Sequence, residues 1–318
     1  MMSHLTAGYR EWFRRATPFW ALSRTPHLLL DIATPVSGAI LIRGGFPSAG
    51  VMLLGLVTAF AGYTAVYALN DIVDFRTDTE KINARAHNDS KAYLDNAMIR
   101  HPMAAGVISI SRGILWAGLW SLLALIGAYL LNPVCVWIFS GGVGLEIVYC
   151  RLWKVTPFRT FVNGIVKACG PLAAVFAVRS DPPVLFLVVL FFWVFFWEIG
   201  GQNIPADWAD IEEDRRFQAR TIPVKWGIDR AAIIAVLALM LSFLFNIVLF
   251  FASPLNLNAI FFLILVAVNF YFLLQPVNRL YRARNRQAAI ALFNRASYYP
   301  LAVLSIVFLW LALSRFFI

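Results

Sequence analysis

Apolar residues run in long, unbroken stretches along most of this chain, and short connections crowded with charge separate them. A helix that crosses the ~30 Å hydrocarbon layer of a bilayer needs about 20 such residues, because lipid offers no partners to backbone N–H and C=O groups and the helix must satisfy them internally. That ruler predicts nine spans, at 27–44, 48–69, 106–130, 133–149, 160–178, 184–204, 231–252, 256–275 and 297–315. The expected fold is all-α: a polytopic membrane protein with nine transmembrane helices in two related halves around a central cavity. Residues 1–26 lack a continuous apolar core and carry Arg10, Arg14 and Arg15, so they read as an amphipathic segment on the membrane surface rather than a cleavable leader. Residues 27–318 form one domain, with polar connections expected at 70–105 and 205–230.

Composition agrees. Hydrophobic residues make up 60% of the chain, against about 45–50% in an ordinary soluble domain. The three cysteines, Cys135, Cys150 and Cys169, are scattered in or beside spans without metal-ligand spacing and read as core filler. Charge supplies an orientation. Of 27 Lys and Arg residues, 22 fall in the N-terminal segment and in the connections that follow even-numbered spans. The positive-inside rule then puts the N-terminus and those connections in the cytoplasm and the C-terminus outside. The net charge of +10 is thus a topology signal. It suits anionic membrane lipid or an anionic substrate better than nucleic acid, which is not expected as a partner.

The acidic residues are concentrated further. Of 17, six lie between 71 and 95 and six between 207 and 229. "DIVDFRTD" places Asp71, Asp74 and Asp78 at steps of three and four. "DWADIEED" repeats the steps with Asp207, Asp210 and Asp214, each 136 residues after its counterpart. On a helix these steps keep one face, so each stretch presents a row of carboxylates. Two such rows repel in a half-dry site unless something positive lies between them. A divalent metal is the simplest candidate: all-oxygen ligation selects hard cations, and Mg²⁺ commonly bridges protein carboxylates to substrate phosphates. Arg76, Arg100, Lys154, Arg159, Arg215, Arg216, Arg220 and Lys225 fall on the same side of the membrane and suit the remaining phosphate oxygens. Acid, base and membrane together point to a lipid diphosphate. A solvated collar of charge would explain either cluster alone but not the repeated spacing. An ion-coupled transporter is the alternative outside enzymes, since intramembrane carboxylates mark ion paths. Here, however, the carboxylates lie at helix ends rather than at the midplane.

"NDIVDFRTD", with Asn70, Asp74 and Asp78, resembles the NxxxDxxxD motif of the UbiA superfamily of intramembrane prenyltransferases, and "DWADIEED", with Asp210 and Asp214, resembles its DxxxD motif. "LSRTPHLLLDIATPVSGAIL", "IRHPMAAGVIS", "YCRLWK" and "RTIPVKWG" resemble further family elements, so that the likeness covers most of 20–310. The resemblance implies Mg²⁺-dependent transfer of an isoprenyl group from a prenyl diphosphate to a small, by default aromatic, acceptor. It also implies that Asp74, Asp78, Asp210 and Asp214 are the catalytic metal-holding carboxylates, with Asn70 beside them and Asp71 and Asp207 as further ligands or anchors. Arg76, Arg100, Lys154, Arg215, Arg220 and Lys225 would then contact the diphosphate, in a bacterial inner membrane. A terpene cyclase that uses the same ionisation without an acceptor is the alternative among enzymes. The chain departs from the family pattern in an enlarged segment, "TEKINARAHNDSKAYLDNAMIR", where His101 separates Arg100 from Pro102, and in the loose spacing of Tyr149 and Lys154.

Several isolated residues add expectations. Glu198, Gln202 and Asn203 form a polar helical stripe that suits either acceptor contacts or interhelical hydrogen bonds. Glu146 and Lys167 are placed to pair with each other, and Asp31 to cap or join the pair. His87 and His101 read as loop residues. The aromatic runs at 190–197 and 269–274 suit a prenyl tunnel or, for most of their members, lipid-facing filler.

Overall fold

A computed structural model describes residues 16–84, 94, 98–255 and 257–314. Among these residues are nine helices long and apolar enough to cross a membrane: α1 (Thr25–Arg43), α2 (Ala49–Asn83), α3 (Ile110–Leu131), α4 (Pro133–Arg151), α5 (Arg159–Val178), α6 (Val184–Ala209), α7 (Ile222–Ala252), α8 (Ala259–Ala283) and α9 (Arg286–Leu313). Every expected span is present, although several ends move. His87 and most of the enlarged segment that contains it lie outside the described residues, as do positions 1–15 of the N-terminal segment.

The shifted ends have local causes. Residues 63–83 contain neither Gly nor Pro, so nothing stops α2 at the membrane boundary. It continues for 35 residues, ~52 Å at ~1.5 Å per residue. The first acidic row therefore stands on a helix and not in a connection. Helix α9 begins at Arg286 rather than near 297, because the Asn285 side chain caps it by accepting from the Ala288 amide. Helix α7 likewise starts earlier, at Ile222, and bends at Gly227, where φ is 83°. Helix α4 opens with Pro133 in its first turn and the Asn132 side chain accepting from the Val134 amide.

Helix α6 is interrupted by a π-helical turn, Glu198–Asn203, a feature that recurs at functional sites. Gly200 and Gly201 allow it to pack closely. A Cβ on Gly200 would lie 2.9 Å from the Ala235 carbonyl oxygen of α7, and one on Gly201 2.9 Å from the Ala296 Cβ of α9.

The main core joins α1 and α5 through α9 around Trp193, Trp197 and Tyr299, all fully buried. Polar bonds pin these helices together. The Trp193 indole donates to the Tyr299 hydroxyl (3.0 Å), which donates to Asn269 (2.8 Å), and Asn269 donates in turn to Asn246 (2.8 Å). The 190–197 run is thus mainly core: Trp193 and Trp197 are buried, Phe192 and Phe196 stack on Phe245, and none of the eight lines the central cavity. Cys135 and Cys150 are buried and Cys169 is half-buried, all as free thiols.

Candidate active site

The two acidic rows meet. A cavity of about 620 Å³ opens between α1 to α6 and α9, and its wall includes Asn70, Asp74, Asp78, Asp207, Asp210 and Asp214. The first row projects from the continuous end of α2. The second straddles a break: Asp207 is on the last turn of α6, Asp210 occupies the non-helical joint, and Asp214 lies on the short helix Ile211–Arg216. Its helix steps come from two segments, yet all three carboxylates still reach the cavity.

Basic side chains from distant parts of the chain interleave with these rows. Arg159, at the start of α5, donates to Asp207 Oδ1 at 2.9 Å and lies over the Tyr149 ring at 4.6 Å. Arg100 Nη2 donates to Asp210 Oδ2 at 3.0 Å. Its neighbour His101, held at φ 53°, places Nδ1 2.8 Å from Asp78 Oδ2 and 3.3 Å from Asp71 Oδ1. Lys81, one turn beyond Asp78 on α2, reaches across to Glu213 Oε1 at 2.9 Å and lies over the Trp153 ring at 4.3 Å. Arg24 contacts Asn70 Oδ1 (3.2 Å) and Asp71 Oδ1 (3.5 Å). His101 is therefore part of the carboxylate site rather than a bystander in a loop. Burial alone would lower its imidazole pKa, but the carboxylates of Asp78 and Asp71 overcome that and raise it to about 8. Burial and the neighbouring Asp207 carboxylate push the Asp214 carboxyl up to about 7.

The donor set fits a hard divalent cation. Asp74 lines the cavity with no hydrogen-bond or ion-pair partner among the described residues. Asp207 Oδ2 is buried with no hydrogen-bond partner, a costly state that a metal would relieve. Asp71, Asp78 and His101 also bring one ligand atom each within 4.8 Å of one another.

The other expected positions divide. Arg100 lines the cavity, whereas Arg76, Lys154, Arg215, Arg216, Arg220 and Lys225 are exposed and stand outside its wall. Lys154 lies over Trp153, and Arg220 donates to the Val155 carbonyl. Arg159, which the sequence grouped with these cations, does reach the carboxylates, and the structure adds Lys81, Arg24 and His101 beside it. Of these three, Lys81 had a usable sequence signal, since it continues the α2 face that carries Asp74 and Asp78.

Glu198, Gln202 and Asn203 all line the cavity, and all three are engaged between helices. Glu198 accepts from Asn163 (2.8 Å), Gln202 accepts from Ser297 (3.2 Å), and Asn203 accepts from Thr160 (2.9 Å) while donating to Tyr149 (3.3 Å). The expected Glu146–Lys167 pair does not form. Lys167 binds Asp31 at 2.6 Å, with the Tyr67 hydroxyl donating to the same carboxylate and Glu198 Oε2 at 3.8 Å. Glu146 accepts from Asn70 at 2.8 Å. Asp31 prevails because α1 presents it directly to Lys167, while Asn70 satisfies Glu146 from α2.

Comparison with known proteins places this architecture. The chain is 28% identical over 221 residues to a protoheme IX farnesyltransferase from Photobacterium profundum, a match that covers 67% of this chain and 63% of that protein. It is 25% identical over 233 residues to a digeranylgeranylglyceryl phosphate synthase from Thermococcus kodakarensis, covering 71% and 76%. Among solved structures, an apo UbiA homologue from Aeropyrum pernix superposes with a TM-score of 0.71 at 16% identity, covering 89% of this chain and 97% of that one. An Archaeoglobus fulgidus UbiA homologue bound to GPP and Mg²⁺ superposes with a TM-score of 0.65 at 16% identity, covering 91% and 99%. The UbiA prenyltransferase family model matches residues 32–312, and with nine membrane-length apolar helices among the described residues and an acid-lined cavity between seven of them, the chain is an integral membrane protein that belongs to that family.

Proposed function

We propose that this protein transfers an isoprenyl group from a prenyl diphosphate to a small acceptor within the membrane, with Mg²⁺ held between the two acidic rows. The observation that carries this reading is the convergence of both rows on one cavity, with Asp74 open, Asp207 Oδ2 unpartnered and cations from other helices alongside. The Archaeoglobus homologue, solved with GPP and Mg²⁺, supports it, as do relatives named as prenyl-transferring enzymes. Bound there, Mg²⁺ would neutralise charge that develops on the departing pyrophosphate.

The chain's own residues do the rest. Asp74, Asp78, Asp210 and Asp214 would hold the metal, with Asn70, Asp71 and Asp207 beside them. Arg100, Arg159 and Lys81 are placed to take the phosphate oxygens that the metal leaves free, and such preorganised charges act strongly where water is excluded. The π-helical turn with Glu198, Gln202 and Asn203 forms a wall against which the acceptor would stand, and a water-poor chamber protects a reactive allylic centre from hydrolysis. The charge asymmetry supports motif ends that face the cytoplasm of a bacterial inner membrane.

Release of pyrophosphate from prenyl diphosphates by the purified protein tests the reading. Release should require Mg²⁺ and fall by about 10²–10³-fold in Asp74→Ala and in Asp210→Ala, the scale of losing one charge-stabilising group. Release unaffected by both changes would refute it. A terpene or terpenol formed from prenyl diphosphate alone would identify a cyclase instead.

A further inference from the structure

A second polar cluster lies deeper in the cavity than the acidic rows, well inside the spans. Tyr67 stands about two turns before Asp74 on α2, ~10 Å at ~1.5 Å per residue. A donor gripped at the rows therefore presents its reacting carbon within a small molecule's length of this cluster. Around that gap the cavity wall holds Tyr67, Lys167 of α5, Glu198 of the π-helical turn, His27 of α1 and Phe293 of α9. The His27 ring lies 5.5 Å from that of Phe293 and 6.1 Å from that of Tyr67. Three rings thus run along one side of the gap, a surface that suits an aromatic ligand.

The polar stripe of the π-helical turn is not evenly satisfied. Gln202 and Asn203 each accept one hydrogen bond and donate another. Glu198 Oε1 accepts from Asn163, but its Oε2 is buried with no hydrogen-bond partner, and Lys167 Nζ stands 3.8 Å from it. A buried carboxylate oxygen in that state gains from any O–H that a ligand brings. The nearby cations are committed to Asp31: Lys167 Nζ is 2.6 Å from its Oδ2 and His27 Nε2 is 3.7 Å from its Oδ1. Asp31 is buried and lies outside the cavity wall. The contrast with the rows decides what charge a ligand can carry. There, a metal that takes Asp207 and Asp210 releases Arg159 and Arg100 for phosphate; here, nothing that enters the cavity can draw Asp31 away from Lys167. An acceptor with a carboxylate or phosphate would face Glu198 and Glu146, with no cation left among the described residues to offset them. Like charges brought together in a dry site cost heavily.

We propose that the acceptor is an uncharged phenol, whose hydroxyl donates to Glu198 Oε2 and whose ring lies against His27, Tyr67 and Phe293. The inference rests on the prenyl diphosphate reading above and narrows its acceptor. Glu198 sets the choice twice over, by accepting the hydroxyl and by repelling an anion.

Three probes of similar size test the proposal: 2-naphthol, its methyl ether and 6-hydroxy-2-naphthoate, which are uncharged with a hydroxyl, uncharged without one, and anionic. Their equilibrium binding to the protein in lipid nanodiscs is read from naphthalene fluorescence, with Mg²⁺ and an unreactive thio analogue of a prenyl diphosphate present and empty nanodiscs as the reference. 2-Naphthol should bind at least about tenfold more tightly than the ether, which leaves the buried carboxylate oxygen unmet. It should exceed the naphthoate by at least about tenfold as well, through charge. Glu198→Gln, which keeps an oxygen for Asn163, should narrow the gap between 2-naphthol and the naphthoate by about tenfold. A naphthoate or an ether that binds as tightly as 2-naphthol overturns the proposal. So does the absence of 2-naphthol binding, or a gap untouched by Glu198→Gln in protein that still binds the donor analogue. Should Glu198→Gln fail to fold, as judged by lost binding of that analogue, the wild-type probe series still decides. Binding of the donor analogue that needs no Mg²⁺ refutes the prenyl diphosphate reading itself, a result distinct from any ranking of the three probes.

Discussion

The rows Asp71–Asp78 and Asp207–Asp214 share a spacing but not a backbone. The first stands on a 35-residue helix with no interruption. The second follows a π-helical turn and breaks at Asp210, between two short helical segments. A continuous helix fixes its carboxylates relative to one another through the backbone ladder. A broken one must have them fixed by tertiary contacts. The second row is tied from outside at every carboxylate: Asp207 to Arg159 of α5, Asp210 to Arg100, Glu213 to Lys81 of α2, and Asp214 Oδ2 to the Thr221 hydroxyl at 3.0 Å. In the first row His101 and Arg24 reach Asp71 and Asp78, while Asp74 has no hydrogen-bond or ion-pair partner among the described residues. The same steps of three and four thus produce a rigid edge on one side of the cavity and an assembled edge on the other.

If the second edge is assembled by its contacts, removing one should cost more there than helical context alone would suggest. Arg159→Met leaves the Asp207 carboxylate buried without its cation, a change that costs about 3–5 kcal/mol. It should show as a large drop in the thermal unfolding midpoint of the detergent-solubilised protein. An unchanged midpoint would mean that the α5 contact does not hold the second row. A smaller effect is expected from Gly200→Ala, whose new Cβ would press on the Ala235 carbonyl oxygen at 2.9 Å. Overpacking of this kind costs about 1–3 kcal/mol, and it should also displace the second row, lowering Mg²⁺ affinity there while leaving helix content by circular dichroism intact. The smallest effects belong to the exposed cations: Arg76→Ala, Lys154→Ala, Arg215→Ala, Arg220→Ala and Lys225→Ala should each change KM for the donor by less than about threefold, the scale of a solvent-screened charge. A tenfold rise for any of them would place that side chain at the diphosphate after all.

Hydrophobic run length made the nine spans legible, because lipid imposes one simple rule on backbone groups. Both acidic rows were legible too, since a repeated three-four spacing shows in a sequence whether its backbone is continuous or broken. The cations were legible only in part. Arg100 and Arg159 were named from their side of the membrane and reach the rows, whereas Arg76, Lys154 and Arg215, close to the rows in sequence, are exposed and outside the cavity wall, and Arg24 arrives from the turn before α1 that only tertiary packing brings near. Sequence distance is a poor guide for long, flexible side chains. The same limit explains Lys167: Glu146 and Asp31 were both plausible partners, and only helix placement selects Asp31 at 2.6 Å. The apolar part of the cavity was hidden for a different reason. Ala124, Ala128, Ala173 and Ala177 are ordinary alanines in a sequence, and line one shared space only where α3 and α5 are brought together.

The central claim is that both rows grip one metal-bridged ligand. The most direct measurement is Mg²⁺-dependent binding of a prenyl diphosphate to a variant whose second row is neutralised, Asp207→Asn, Asp210→Asn and Asp214→Asn together, with the first row intact. Loss of the Mg²⁺-dependent component is the expected result, even though Asp71, Asp74 and Asp78 remain in place on their unbroken helix. Retention of wild-type, Mg²⁺-dependent affinity would show that the first row works alone, and would contradict the account.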